Sequence, residues 1–117
     1  MKILKAKNNT NAVEVALADI MASDKPVTEV AEHWAIFPRQ YIMALDIAKN
    51  GLTFPIIVKK DNNKLLFAAS GCRIQYAVLN GYTHVDALVL DNDAEILSTM
   101  EAQRVNDNEI LKGVANG

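Results

Sequence analysis

The sequence predicts a single mixed α/β domain, and three observations lead to that prediction. Half of the 117 residues are hydrophobic, which suffices for one packed core and argues against disorder. Apolar residues at helical spacing dominate the first fifty positions, and β-branched runs follow Asn50-Gly51. The later pattern alternates strand, strand, helix, strand and helix, which indicates a small mixed sheet with packed helices. We predict one domain over residues 1–112 and a tail over 113–117.

The part from residue 10 to residue 50 is predicted to be mainly helical. Lys2 to Lys7 alternates apolar and basic residues and indicates a short strand or an extended arm. The polar run at 8–11 offers an N-cap for a first helix. The spacing of apolar residues then predicts helices over 12–21, 27–34 and 41–49, the last ending at Asn50-Gly51.

The part from residue 51 to residue 112 is predicted to follow a β-β-α-β-α order. Two short apolar runs on either side of the polar stretch 61–64 indicate a hairpin. The predicted elements are strands over 54–58 and 65–69, a helix over 71–79, a strand over 84–90 and a helix over 94–111.

Composition narrows the classes of function. The net charge of −2 gives no overall basic footprint of the kind that nucleic-acid binding usually leaves. A single cysteine, Cys72, cannot form an internal disulfide, and no signal or membrane-spanning pattern is seen, so we expect a cytoplasmic protein. His33 and His84 do not lie at zinc-ligand spacing, so no metal site is expected from them.

The junction Ser70-Gly71-Cys72-Arg73 is the strongest candidate for a chemical site. A strand that ends in glycine and opens into a helix directs backbone N–H groups and a positive dipole end at one point, which suits a phosphate. Arg73 then binds the same anion or forms an ion pair with Asp86 or with a carboxylate of the last helix. Cys72 is either an activated thiolate or a small residue packed under the loop.

The order of motifs around this junction resembles the ParB/sulfiredoxin superfamily. The matching parts are Gly51, Pro55-Ile56-Ile57-Val58, Gly71-Cys72-Arg73-Ile74, Gly81, the strand that follows it, and Glu101-Ala102-Gln103-Arg104. Sulfiredoxins carry Gly-Cys-His-Arg at the junction and ParB-type domains carry Gly-Glu-Arg-Arg. This chain keeps Gly71 in common with both, but it has Ile74 where both carry an arginine.

The resemblance implies a small ParB/sulfiredoxin-like domain that binds a nucleotide or another phosphorylated ligand in a DNA-associated process. A phage- or plasmid-type accessory protein fits the short chain better than a full partition protein, and whether a reaction is catalysed stays open. A nucleoside triphosphate with Mg²⁺ is the implied ligand, with Glu101 on the metal. Glu101 and Arg104 also suit a simple ion pair three residues apart. The implied binding residues are Pro55, Ser70, Gly71, Cys72, Arg73, Glu101 and Arg104.

Two other classes of function stay open. Residues 16–49 resemble a helix-turn-helix, in which Thr28, Arg39, Gln40 and Tyr41 would contact DNA. The simpler interpretation is a helical cap that packs on the sheet with Trp34 and Phe37 inside. The third hypothesis is a degenerate, non-catalytic module that binds a protein partner or forms a homodimer.

Overall fold

The computed structural model describes residues 1–69 and 71–116, and the side chains as far as 113. Its seven strands are short, and they belong to one mixed sheet. They are β1 (Ile3–Leu4), β2 (Val13–Ala16), β3 (Ile20–Ala22), β4 (Lys25–Pro26), β5 (Ile56–Asp61), β6 (Lys64–Ala69) and β7 (His84–Leu90).

Four α-helices accompany the sheet, and the last is the longest. They are α1 (Val27–Val30), α2 (Pro38–Asn50), α3 (Gly71–Leu79) and α4 (Asp93–Asn116). Single turns of 3₁₀-helix cover Leu17–Asp19 and Ala31–His33. α4 continues beyond the predicted end at residue 111 and takes up most of the segment predicted as a tail.

Strand β7 organises the sheet. It pairs in parallel with β1 and β5 and antiparallel with β2. β5 and β6 form the antiparallel hairpin that the sequence predicts, and β6 continues the sheet to β3 and β4. The predicted helix, strand and helix after this hairpin are confirmed, because each has a long periodic segment and a clear stop signal.

The predicted helix over 12–21 is wrong, and so is the helical character of 10–26. This segment forms β2, a 3₁₀ turn, β3 and β4. The alternation Val13-Glu14-Val15 suits a strand, and pairing with β7 along all four residues of β2 stabilises it. Leu17 and Ile20 lie three apart, but the 3₁₀ turn places both in the core. Tertiary pairing therefore overrides helical spacing here.

The core lies between the sheet and the helices and is almost wholly aliphatic. Its largest fully buried side chains come from both halves of the chain, which is why the N-terminal segment belongs to the same domain. They are Leu17, Ile20, Met43, Leu52, Ile56, Ile57 and Ile74, with Val27, Val58 and Val85. Among the described residues, no helix is both long and apolar enough to cross a membrane.

Of the two aromatic residues expected to be buried in a helical cap, Trp34 and Phe37, only Trp34 packs against the sheet. Trp34 is half-buried and packs against Phe67 of β6, with ring centroids 5.4 Å apart. Phe37, in contrast, is exposed. It precedes α2, and its backbone N–H donates a hydrogen bond to Gln40 at the start of that helix. The prediction for Trp34 is thus confirmed and the prediction for Phe37 is wrong.

Gly51 ends α2 in a conformation that other residues avoid, with φ of 82° and ψ of 177°. We expect Gly51→Ala to lower the free energy of unfolding by about 1–3 kcal/mol, because a side chain is strained in this region of backbone space. Urea denaturation would measure the loss. Gly113→Ala is the matched control, since Gly113 is helical and has open space around it. An equal loss in both variants would contradict the role of φ at Gly51.

Candidate functional site

A cavity of about 440 Å³ opens where three helices meet: the N-terminal turns of α2 and α3 and the middle of α4. The chain has three arginines, Arg39, Arg73 and Arg104, and all of them line this cavity, one from each helix. Among the described lining residues there is no lysine, although the chain has nine. Arginine presents a planar fork of N–H donors, so this selection favours an oxyanion ligand.

Arg73 is the most buried of the three arginines that line the cavity, and it is held in an ion pair. It is only 3% exposed, and its Nη2 lies 2.7 Å from Oδ1 of Asp107 on α4. Its Nη1 lies 3.4 Å from Oδ2 of the same carboxylate, so the contact is bidentate. Of the two interpretations of Arg73 from the sequence, the ion pair with a carboxylate of the last helix is therefore realised. The alternative carboxylate, Asp86, accepts the backbone N–H of Ala6 instead.

Gln103 connects this buried pair to the sheet. Its Oε1 accepts a hydrogen bond from Nη1 of Arg73 at 3.5 Å, and its Nε2 donates to the carbonyl of Pro55 at 2.8 Å. Gln103 is buried, as is Asp107 one turn further along α4. The side chain of Arg73 is thus held from two sides before any ligand arrives.

The other two arginines line the cavity with side chains that are far more exposed than that of Arg73. Arg39 is partly exposed, and its Nη2 lies 3.7 Å from Oδ2 of Asp107. Arg104 is exposed and pairs with Glu101 three residues earlier on α4, as its spacing predicts. The hydrogen bond to Glu101, together with the charge of that carboxylate, raises the pKa of Arg104. Both guanidinium groups can therefore turn toward a ligand at little cost.

The described side chains that line the cavity carry a net positive charge. The described wall carries three arginines against two carboxylates, Glu101 and Asp107. α3 begins at Gly71, so the first-turn amides of this helix and the positive end of its dipole lie at the cavity. A Cβ added at Gly71 would lie in ordinary van der Waals contact with Phe67 and Trp34, which do not line the cavity. The arrangement can hold one anionic group by charge-assisted hydrogen bonds.

The structure brings together most of the residues that the sequence predicts. Gly71, Cys72, Arg73, Glu101 and Arg104 all line the cavity. Pro55 does not, because it lines a neighbouring cavity of about 140 Å³ behind Gln103. Ser70 lies outside the described residues.

Sequence reasoning missed six other lining residues: Arg39, Ala69, Leu97, Met100, Gln103 and Asp107. Arg39 was assigned to a DNA-binding surface, and no motif signals its approach to α4. Leu97 and Asp107 lie four residues before Glu101 and three after Arg104, so the helical periodicity of α4 was a usable signal for both. Gln103, which holds Arg73, stands inside the quoted run Glu101-Ala102-Gln103-Arg104, where its role could not be seen.

Cys72 is half-buried at the first turn of α3 and lines the cavity. Neither its reactivity nor an Mg²⁺ ion on Glu101 is tested by this geometry, and both stay predictions. Within the described part of the chain, no three His, Cys, Asp or Glu side chains are grouped as metal ligands would be.

The helix-turn-helix interpretation of residues 16–49 loses its first helix, since Ala16–Ala22 form strand and 3₁₀ turn. Gln40 is also occupied: its Oε1 accepts the backbone N–H of Phe37 at 3.2 Å and stabilises the start of α2. Thr28 and Tyr41 are exposed, so DNA binding through them stays a prediction.

The mixed α/β architecture predicted from the sequence is confirmed, and the fold is sulfiredoxin-like. It is similar to the crystal structure of sulfiredoxin from Arabidopsis thaliana, with a TM-score of 0.54 and 17% sequence identity. The similarity covers 76% of this chain and 94% of that one. No protein-family model and no curated protein sequence matches the chain. At this level of identity the comparison establishes the fold.

Proposed function

We propose that this domain binds the phosphate group of a nucleotide or of another phosphorylated ligand in the arginine-lined cavity. The observation that carries the proposal is the convergence of all three arginines of the chain, from three helices, on the N-terminal turn of α3. A volume of about 440 Å³ is within the usual range for small-molecule sites.

The three arginines have different roles in this proposal. Arg73 is fixed by Asp107 and Gln103, so it offers a preorganised positive wall. Arg39 and Arg104 have exposed side chains and each already contacts a carboxylate, so binding exchanges one anionic partner for another. The amides at Gly71 and Cys72 lie at the start of α3 and add neutral donors.

A thermal-shift screen of nucleoside triphosphates and monophosphates, with and without Mg²⁺, tests the proposal. A ligand that binds only the folded chain must raise the melting temperature in a concentration-dependent way. Isothermal titration of the best ligand then compares the wild type with Arg104→Gln and Arg39→Gln. We expect each variant to weaken binding by about 10-fold to 100-fold, the effect of losing one charge-assisted hydrogen bond.

Lys112→Gln is the matched control, because it also removes one positive charge from an exposed position of α4 but lies outside the cavity. It should bind as the wild type does. No shift with any nucleotide or with inorganic phosphate would refute the proposal, and so would equal weakening in Arg104→Gln and Lys112→Gln. The screen with and without Mg²⁺ also tests the metal expected on Glu101.

A further inference from the structure

An apolar groove of about 120 Å³ lies beside the arginine-lined cavity, between α2 and α3. Large apolar side chains surround it and are more than half exposed, including Ile36, Tyr41 and Leu79. Exposed apolar residues are ordinary when scattered singly, but a contiguous group around a groove marks an interaction surface. Five apolar or aromatic residues line the groove, namely Ile36, Tyr41, Ala44, Tyr76 and Leu79, together with Cys72 and three side-chain amides.

Basic residues lie beyond both ends of the groove, and none of them is among its described lining residues. At one end it meets the arginine-lined cavity, because Cys72 lines both. At the other end Nζ of Lys2 donates a hydrogen bond to the carbonyl of Asn80 at 2.7 Å and lies 4.3 Å from the ring centroid of Tyr82. An apolar groove with basic residues beyond both ends is complementary to a segment that is apolar in the middle and acidic at both ends.

We infer that this groove docks a polypeptide segment in which one aliphatic side chain is flanked by two acidic residues. The groove has room for about one side chain, which enters between Tyr41 and Leu79. One acidic residue then reaches the arginines past Cys72, and the other reaches Lys2.

The dimensions set the spacing of that segment. Cys72 and Asn80 are eight residues apart along α3 and its end, which corresponds to about 12 Å at 1.5 Å per residue. An extended chain advances about 3.3 Å per residue, so the two acidic residues should stand about four positions apart. The surface goes beyond phosphate binding, since Leu79 and Lys2 lie outside the arginine-lined cavity.

Selection from a random heptapeptide library displayed on phage, with the full chain as target, tests this inference. We expect enriched peptides to carry Asp or Glu about four positions apart with Leu, Ile or Val between them. The most enriched peptide is then synthesised and titrated. Its Kd should rise at least about 10-fold in Leu79→Glu and in Lys2→Gln.

Val105→Glu is the matched control, because Val105 is 57% exposed, Leu79 is 51% exposed, and Val105 lines none of the cavities described. It should bind the peptide as the wild type does. If Leu79→Glu fails to fold, Lys2→Gln carries the test, since its side chain lies at the surface. Enriched peptides without the acidic-aliphatic pattern, or equal loss in Val105→Glu, would overturn the inference.

A second copy of this chain is the competing occupant of the groove, and sedimentation equilibrium of the wild type and Leu79→Glu tests for it. We expect both to be monomers. A wild-type dimer that Leu79→Glu dissociates would assign the groove to a second copy and overturn the inference. Leu79→Glu should keep the nucleotide-induced thermal shift, so loss of peptide binding in a variant that still binds nucleotide separates this result from the phosphate site.

Discussion

Replacing Asp107 by alanine is expected to lower the free energy of unfolding by about 3–5 kcal/mol, the usual cost of leaving one member of a buried ion pair alone. Arg73 is 3% exposed and its guanidinium meets Asp107 in two contacts. Without the carboxylate, a full positive charge stays in a site from which water is largely excluded. Since domains of this size are stable by about 5–15 kcal/mol in total, the loss should be visible as a large shift of the urea midpoint.

Two variants make this prediction specific to the buried charge. Glu101→Gln breaks the exposed pair with Arg104 on the same helix and should leave the urea midpoint nearly unchanged. The double variant Arg73→Met with Asp107→Leu removes both charges and should recover much of the stability lost in Asp107→Ala. If the double variant is as unstable as the single one, the loss of stability comes from altered packing. The explanation by an unpaired buried charge on Arg73 would then be wrong.

Replacing Ile74 by alanine is expected to cost about 2–5 kcal/mol, which is typical for a fully buried branched side chain. Ile74 has no exposed surface and belongs to the main hydrophobic cluster with Ala77 of the same helix. Ile74→Val should cost only about 0.5–1.5 kcal/mol, because one methylene is lost and the shape is kept. Thermal or urea denaturation would give both values.

Leu79→Ala is the control, since Leu79 is on the same helix but is half exposed, and its loss should stay near about 0.5 kcal/mol. Equal destabilisation by Ile74→Ala and Leu79→Ala would contradict the placement of Ile74 in the core. In the motifs that the junction resembles, a basic residue stands at this position, where this chain has the fully buried Ile74. Here the charge is carried by Arg73, on the face of α3 toward the cavity.

Local sequence patterns were sufficient for the second half of the fold. The helix over 71–79 was predicted with the bounds that the structure shows, because a glycine opens it and Asn80-Gly81 closes it. The hairpin followed from two apolar runs around a polar turn, and the strand over 84–90 from its alternation. Gly71, which belongs to the candidate site predicted from the sequence, lines the arginine-lined cavity.

Local patterns failed where a tertiary contact decides between two conformations. Val13, Leu17 and Ile20 fit helical spacing, but they are also compatible with two strands joined by a 3₁₀ turn, and pairing with β7 selects the strands. Phe37 has the composition of a core residue, yet it is exposed, since only the packing of α2 determines which side of its first turn faces inward.

The sequence by itself determined the mixed α/β class, the boundaries set by glycines, and the position of Gly71, Cys72 and Arg73 at the start of a helix. These are properties of neighbouring residues, and local backbone preferences suffice to decide them. Only the tertiary structure decided that Asp107 holds Arg73, and that Arg39 joins Arg104 at the same cavity. Those contacts join residues more than thirty positions apart, and their geometry depends on how three helices pack together.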